Sequence, residues 1–195
     1  MRTVLPYPAL AAATFMLLCQ ACGLLPGSPS AAHVRPAEAP ALSAASNQNA
    51  SGRQTVIYLP ALLEDDSLGL RAAPRGLPGT GEPLREALEA LILGPNGSER
   101  AADFEVALDR RTRLLAASVE RGTASIEFDE GIERVHGRPF SELVYWSIVY
   151  TATEVPGVER VRLLRQGSVI GELGDPPFTV PDTAGRDDAP AWARP

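Results

Sequence analysis

Residues 143–167 read LVYWSIVYTATEVPGVERVRLLRQG, and this stretch decides the fold. Its first half belongs to a run from about Phe140 to Thr153 in which apolar residues recur at helical spacing. Pro156-Gly157 then ends the predicted helix. From Val158 to Leu164 apolar side chains alternate with arginines, which indicates a strand with one face in water. A glycine turn leads into a last predicted strand, Ser168 to Leu173.

The chain before this stretch predicts a strand, a loop and a second amphipathic helix. Thr55 to Leu59 is a short β-rich run, and we expect Pro60 to end it. Prolines and glycines predict an irregular loop over residues 65–79. Between Glu82 and Leu93 three leucines share one helical face, namely Leu84, Leu88 and Leu91.

A hairpin lies between the two helices. Leu114 to Val119 and Thr123 to Asp129 flank Arg121-Gly122, which predicts a tight turn. The predicted order of elements is therefore β-α-β-β-α-β-β. Short hairpin connections favour a mostly antiparallel sheet, and two amphipathic helices cover one of its faces. The sequence thus predicts an α+β two-layer sandwich over residues 53–174.

The composition argues against nucleic acid as a partner. The chain of 195 residues has a formal net charge of −6, and all 18 of its basic residues are arginines. Binding to phosphates needs clustered positive charge. The densest group, Arg110, Arg111 and Arg113, is interpreted as an exposed turn before a strand rather than as such a cluster.

The first 22 residues have the organisation of an export signal. Arg2 supplies a positive charge, and Leu10 to Leu18 form an apolar stretch, LAAATFMLL. This stretch is too short for a transmembrane helix, which needs about 20 apolar residues. Its length and position fit the hydrophobic region of a signal peptide, so we expect the chain to be exported.

The two cysteines of the chain, Cys19 and Cys22, close this signal. Their C-x-x-C spacing also occurs in redox motifs and zinc sites. A zinc site would need two more ligands, for which the only histidines of the chain are His33 and His136. A redox pair normally opens a helix in a folded domain rather than closing a signal sequence. The stretch resembles a lipobox, in which the cysteine after a small residue is acylated. Cys22 follows Ala21 and is the preferred lipidation site, while Cys19, after the bulky Leu18, is the alternative. Acylation would anchor the chain in a lipid membrane.

Both flanks of the predicted domain have compositions typical of disorder. Residues 23–52 are rich in Ala, Ser, Pro, Gly and Asn and hold few large apolar side chains, so we expect a disordered tether. Residues 175–195 are similar and are expected to form a disordered tail. Trp192 within this tail is interpreted as an exposed aromatic residue rather than as a docking residue.

The order of elements and several local patterns resemble the GerMN domain of sporulation and spore-germination proteins and of bacterial envelope lipoproteins. The resemblance covers residues 55–173. It rests on VIYL at 56–59, on Pro74-Arg75 at the place of the family's arginine before its first helix, and on EALEALILGP at 86–95. It is strongest in residues 143–167, where the helix-to-strand junction and the hairpin glycine match.

Two loops depart from the family's pattern. Asp109-Arg110-Arg111-Thr112 replaces the family's Pro-x-Gly-Thr, and Asp129 alone stands for the serine or aspartate after the third strand. The fold expectation is unchanged by these loops. The resemblance implies an extracytoplasmic binding or assembly module with no catalytic residues to carry over, and it does not imply sporulation, because such domains are not confined to spore formers.

The residues that could carry chemistry form no complete catalytic site. His136 has no nucleophile elbow to serve and is interpreted as a surface loop residue rather than a general base. Glu64-Asp65-Asp66 indicates a solvated acidic turn rather than a catalytic pair or a calcium loop. Gly79-Thr80-Gly81 presents backbone donors before a helix and is a weak anion site. The aromatic residues of the second helix are assigned to the core rather than to an exposed binding stripe: Tyr145, Trp146 and Tyr150.

Three functional hypotheses follow, and none of them needs a cofactor or a metal. The first is a non-enzymatic envelope lipoprotein that binds a protein partner or associates with itself, for instance by adding a strand at an open sheet edge. The second is an accessory factor that binds peptidoglycan during cell-wall remodelling. The third is a wall hydrolase, suggested only by His136 and scattered carboxylates.

Overall fold

The computed structural model describes residues 52–135 and 137–195. Short 3₁₀ turns at Glu130–Glu133, Arg186–Asp188 and Ala191–Ala193 accompany the regular elements. The strands and helices in chain order are β1 Arg53–Leu62, β2 Leu68–Leu77, α1 Pro83–Leu93, α2 Gly97–Arg100, β3 Leu114–Glu120, β4 Thr123–Phe128, α3 Arg138–Ala152, β5 Arg160–Arg165, β6 Ser168–Val169, β7 Glu172–Leu173 and β8 Phe178–Thr179.

A four-stranded sheet has the order β3-β4-β5-β6. Its hairpins are antiparallel, and Arg121 and Gly122 both have positive φ, as a two-residue turn of this kind requires. Strands β4 and β5 run parallel instead, because the connection between them passes through α3 and returns to the same end of the sheet. The α+β fold class with a mostly antiparallel sheet, predicted from the sequence, is confirmed, and the one parallel pair is β4 with β5 among the described strands.

A second, two-stranded sheet shows that the predicted loop over residues 65–79 was wrong. Residues 68–77 form β2, which pairs antiparallel with β1 along ten residue pairs. Strand β1 also runs through Pro60 to Leu62. Residues 58, 60 and 62 turn their backbone groups away from β2, since Tyr58 and Leu62 donate elsewhere and Pro60 accepts from Glu105. The N–H that proline lacks is therefore not needed for pairing with β2.

Proline in β2 follows the same rule. Pro74 lies opposite Val56, on the pairs whose backbone groups face away from the partner strand. Composition alone suggested a loop because prolines and glycines are common there, whereas the ladder tolerates Pro74 at an outward position.

The helices pack as the sequence predicts. The leucine face of α1 is buried, and so are Val144, Ile148 and Thr151 on α3. Helix α1 contacts β1, β2 and β3, helix α3 contacts β1, β2 and β5, and the two helices contact each other. One core therefore unites the four-stranded sheet and the β1–β2 sheet with the two helices, which is the layered arrangement expected from two amphipathic helices.

Helix α3 also completes the hydrogen bonding of β1. The hydroxyl of Thr151 accepts a bond from the backbone N–H of Tyr58 at 3.0 Å. The hydroxyl of Ser147 donates to the backbone carbonyl of Tyr58. All four of these groups are buried, so the two hydroxyls stand where a neighbouring strand would otherwise be needed.

The segment from residue 175 to 195, expected to be a disordered tail, is ordered. Its small apolar residues enter the core, with Val180, Ala184, Ala189 and Ala193 all buried. Ala184 exchanges two backbone hydrogen bonds with Val161 of β5. The prediction was wrong because alanine, which carries little weight as an apolar residue in a composition, still packs closely against a sheet.

Several expectations from the sequence lie outside the described residues. These are the signal peptide with Cys19 and Cys22, the tether over residues 23–52 except for its last residue, Gly52, and His136. Among the described residues, no helix combines the length and apolar character needed to cross a membrane.

Candidate functional site

The open strand edges are candidate binding surfaces, because unpaired backbone groups at such an edge can pair with another strand. The outer edge of β5 is already paired, with Ala184 at one end and β6 at the other. The outer edge of β2 contains Pro74, which removes a donor. Strand β3, seven residues long and without proline, is the better candidate.

The geometry of the β3–β4 hairpin sets which groups face outward. Glu120 and Thr123 flank the two-residue turn and form a hydrogen-bonded pair. The alternation of the ladder then turns the N–H and C=O groups of Val119 and Ala117 away from β4. A bulge between Leu114 and Ala116 interrupts this alternation at the start of the strand.

Apolar side chains accompany these outward backbone groups. Leu115 is 49% exposed and Val119 is 47% exposed, although both lie on a strand of the main sheet. Arg85 places its guanidinium 3.4 Å from the carbonyl oxygen of Leu115, which shields the first part of the edge. The stretch open to a partner is therefore residues 117–120.

A groove runs beside this edge. It has a volume of about 480 Å³ and is lined by β3, by the start of α1, and by Val155 and Pro156. A neighbouring depression of about 430 Å³ shares Pro83, Val155 and Pro156 with it and reaches Arg53 at the start of β1. We call the two depressions together the β3 groove. Its walls are mainly apolar, as a surface that binds a peptide segment requires.

The predicted anion site at Gly79-Thr80-Gly81 is filled by the chain itself. The carboxylate of Glu86 accepts hydrogen bonds from the backbone N–H groups of all three residues, at 3.1, 2.9 and 2.7 Å. These bonds, that from Gly81 foremost, and the nearby Arg53 lower the pKa of Glu86 against the effect of burial. The prediction of backbone donors for an anion was right in kind, and the anion is a side chain four residues into the helix.

The acidic run Glu64-Asp65-Asp66 forms the turn between β1 and β2, as expected. All three residues are exposed, and the Asp65 carboxylate accepts bonds from the hydroxyl and the N–H of Ser67. These two bonds lower the pKa of Asp65. The run is thus part of a turn, and no catalytic pair results.

The remaining predicted positions are structural. Asp129 caps the turn at residues 130–133 by accepting from the N–H of Gly131. Asp109 accepts from the N–H of Arg111 and so shapes the loop before β3, in which the side chains of Arg110, Arg111 and Arg113 are exposed. These loop residues hold the chain's own backbone rather than facing a common cleft.

Arg75 joins β2 to the segment after α1. Its guanidinium donates twice to the carboxylate of Glu99, at 2.5 and 2.7 Å, and once to the carbonyl of Gly94. Glu99 in turn accepts from the N–H of Asn96 in a capping box. The hydrogen bond from Arg75 is the main cause of the lowered pKa of Glu99. Arg75 therefore has a connecting role within the fold.

The aromatic residues of α3 belong to the core, as predicted: Tyr145, Trp146 and Tyr150 are at most 5% exposed. Trp192 is 44% exposed, in agreement with the sequence. It lies beside a depression of about 600 Å³ between the β1–β2 turn and the start of α3, lined also by Leu68 and Leu143. Arg138 and Glu142 pair with each other there, and Asp66 also lines the depression.

Within residues 52–135 and 137–195, no three side chains of the metal-ligating types come together.

A cluster that the sequence did not reveal surrounds Arg186. Its guanidinium donates to the hydroxyl of Thr153 at 2.7 Å, to the carbonyl of Tyr150 at 2.9 Å, and to the carboxylate of Glu154. No sequence signal marked it, because the partners are more than thirty positions away.

Comparison with known proteins assigns the family. A family model described as "Germane: Sporulation and spore germination" matches residues 56–171. The chain belongs to the Germane family. The match includes helices α1 and α3, strands β2 to β6 and β1 from Val56 onward, so the resemblance inferred from residues 143–167 is confirmed.

Solved structures share the Germane fold of this chain. The tandem GerMN domains of the sporulation protein GerM from Bacillus subtilis align with a TM-score of 0.55 and 19% identity, over 73% of this chain and 50% of that one. The first GerMN domain of the same protein gives a TM-score of 0.55 and 19% identity, over 68% of this chain and 98% of that one. This chain therefore spans half the length of the tandem structure.

A third structure is a protein from Clostridium perfringens described as a lipoprotein. It aligns with a TM-score of 0.51 and 17% identity, over 73% of this chain and 93% of that one. At such identities the likeness establishes the fold. No curated protein matches the chain in sequence.

Proposed function

We propose that this protein is a lipid-anchored, non-enzymatic module of the cell envelope that holds a partner protein at the open edge of β3. The observation that carries the proposal is the edge itself. Among the described residues no strand pairs with the outer edge of β3, toward which the backbone groups of Val119 and Ala117 face, and an apolar groove lies directly beside it. An extended segment of a partner would add a strand there and place alternate side chains in the β3 groove.

The place of action is part of the same proposal. A short apolar stretch after Arg2, followed by Cys22 behind Ala21, fits an exported and acylated chain, with Cys19 as the alternative. One structural neighbour is described as a lipoprotein. An anchored chain would present its Germane domain on the extracytoplasmic side of the membrane, where envelope proteins are the available partners.

Two features support binding rather than catalysis. The carboxylates that have lowered pKa values, such as Glu86 and Glu99, are hydrogen-bonded to the chain itself. The walls of the β3 groove are mainly apolar, and its one carboxylate near α3, Glu154, is bonded to Arg186 and Tyr58. Such groups stabilise the fold and leave the groove suited to side-chain packing.

Co-purification from cells tests the docking site. Val119→Lys introduces a charge at the open edge, which natural edge strands use to prevent pairing. We expect the amount of partner recovered with this variant to be at least tenfold lower than with the wild-type chain. Leu93→Lys is the matched control, because Leu93 is an apolar side chain 67% exposed at the end of α1. Equal recovery with both variants would refute docking at β3.

The anchor has a separate test. Labelling with radioactive palmitate is expected in the wild-type chain and in Cys19→Ser, and to be lost in Cys22→Ser. Loss in Cys19→Ser alone would move the anchor to the alternative cysteine. Absence of label from the wild-type chain would remove the anchor from the proposal and leave the docking edge to be judged by co-purification.

A further inference from the structure

The segment from Val180 to Ala193, here called the strap, follows the part of the chain that the family model matches. The family model ends at residue 171, before the strap begins. The strap crosses the outer edge of β5, where Ala184 and Val161 exchange hydrogen bonds of 2.8 and 3.0 Å. It thus occupies an edge of the main sheet that the matched part of the fold does not itself cover.

Next to this bridge, Arg186 of the strap lies among aromatic rings and hydrogen-bond acceptors. The Arg186 guanidinium lies 5.4 Å from the ring centre of Tyr58 and 5.2 Å from that of Tyr150. It bonds the hydroxyl of Thr153, the carbonyl of Tyr150 and the carboxylate of Glu154. Two aromatic rings, a carboxylate and two neutral acceptors are the chemistry that recognises a guanidinium.

Tyr58 also contributes contacts to the site that do not involve the arginine. The Tyr58 hydroxyl donates to the Glu154 carboxylate at 2.7 Å, and the two tyrosine rings pack with their centres 5.3 Å apart. Burial opposes the charge on Glu154, yet bonds from Arg186 and Tyr58 outweigh it and lower the pKa of this carboxyl. The carboxylate is therefore held charged beside the rings, facing the place where a cation binds.

The rest of the strap is attached to the domain by small buried side chains and exposed ion pairs. Its buried side chains are one valine and three alanines, and its ion pairs to Arg160 and Arg162 lie in water-exposed positions. Gly185 passes so close to β5 that an added Cβ would lie 2.7 Å from the carbonyl oxygen of Glu159. Segments with few buried apolar groups open at a lower free energy than the core.

We propose that the β5 edge and the Tyr58–Tyr150–Glu154 site form a docking site for an extended, arginine-bearing peptide segment, and that the strap is its exchangeable occupant. The recognised segment has a small residue at the bridge, glycine beside β5 and arginine one position later, as in Ala184-Gly185-Arg186. This site lies apart from the β3 edge, although its Glu154 also lines one depression of the β3 groove, and its failure leaves strand addition at β3 unaffected.

Hydrogen exchange of the full chain tests whether the strap opens by itself. We expect the amide of Ala184 to exchange at least tenfold faster than amides of the central strand β4. Arg186→Ala and Gly185→Ala should each accelerate it further, with β4 unchanged. Arg194→Ala is the matched control, since Arg194 only bonds the carbonyl of Ala189. Exchange of the strap at the rate of β4 would show that it is an integral part of the core and would overturn the proposal.

A peptide of residues 178–195 tests recognition. It should bind the full-length Arg186→Ala chain saturably, and the wild-type chain at least tenfold more weakly, because the wild-type strap competes at a high effective concentration. A peptide carrying Arg186→Ala should not bind, and Arg186→Lys should bind weakly since lysine cannot make the forked contacts. The docking site would be refuted if the peptide bound neither the Arg186→Ala chain nor the Gly185→Ala chain. It would also be refuted if the peptide carrying Arg186→Ala bound as well as the unaltered peptide.

Discussion

Thr151→Val is expected to destabilise the domain, because it removes the hydroxyl that accepts the backbone N–H of Tyr58. Both groups are buried, and the distance between them is 3.0 Å. Valine has nearly the volume of threonine, so the substitution leaves no cavity and its cost is that of an unpaired buried N–H. That cost is about 1–3 kcal/mol. For a domain of this size it lowers Tm by about 3–10 °C.

Tyr145→Phe is the matched control, since it also removes one buried hydroxyl from α3. The Tyr145 hydroxyl has no hydrogen-bond partner among the described residues, and burial strongly raises its pKa. Its removal should leave stability unchanged or increase it by about 1 kcal/mol, because an unsatisfied polar group is replaced by carbon. Urea unfolding followed by far-UV circular dichroism measures both variants. Equal losses in the two, or no loss in Thr151→Val, would refute the role of the hydroxyl in completing β1.

Three further substitutions test other contacts. Glu86 has a lowered pKa in the folded state, so the stability it contributes is present above its unfolded pKa of about 4.3 and is lost as the pH falls through the folded value. Between pH 5 and pH 3 the urea midpoint of the wild type should therefore fall more than that of Glu86→Gln. Parallel falls of the two midpoints would contradict this. Arg75→Ala should cost about 2 kcal/mol in urea unfolding because it breaks a two-bonded, mostly buried pair with Glu99. Glu142→Gln should cost under about 0.5 kcal/mol, since the Arg138 side chain of that pair is 63% exposed. Similar costs for the two pairs would show that burial does not decide their strength.

The local patterns of the sequence predicted the helices and the hairpins well. Leucine spacing in α1 and the apolar run in α3 correspond to buried faces, and Arg121-Gly122 forms the expected turn. These features depend on neighbours in the sequence, which is why periodicity and turn residues reveal them. The same local reasoning supported the family resemblance.

The errors came from features that depend on distant partners. Proline was expected to end β1 at Pro60, but whether it interrupts a ladder depends on which way its backbone faces. The strap was expected to be disordered, but Ala184 and Ala189 are buried by parts of the chain far away in sequence. Likewise, only the structure shows that Glu86 fills the anion site next to α1. Composition reports none of these pairings.

The docking edge is tested most directly by photo-crosslinking in cells, with a photoreactive amino acid placed at Val119 of the full-length chain. The same amino acid at Leu93 is the control, because both side chains are exposed and apolar. We expect one discrete envelope-protein adduct from position 119, absent from position 93 and lost when a second substitution, Ser118→Lys, charges the open stretch of the edge. Adducts of equal yield from both positions, or none from position 119 in cells that retain the partner, would contradict strand addition at β3.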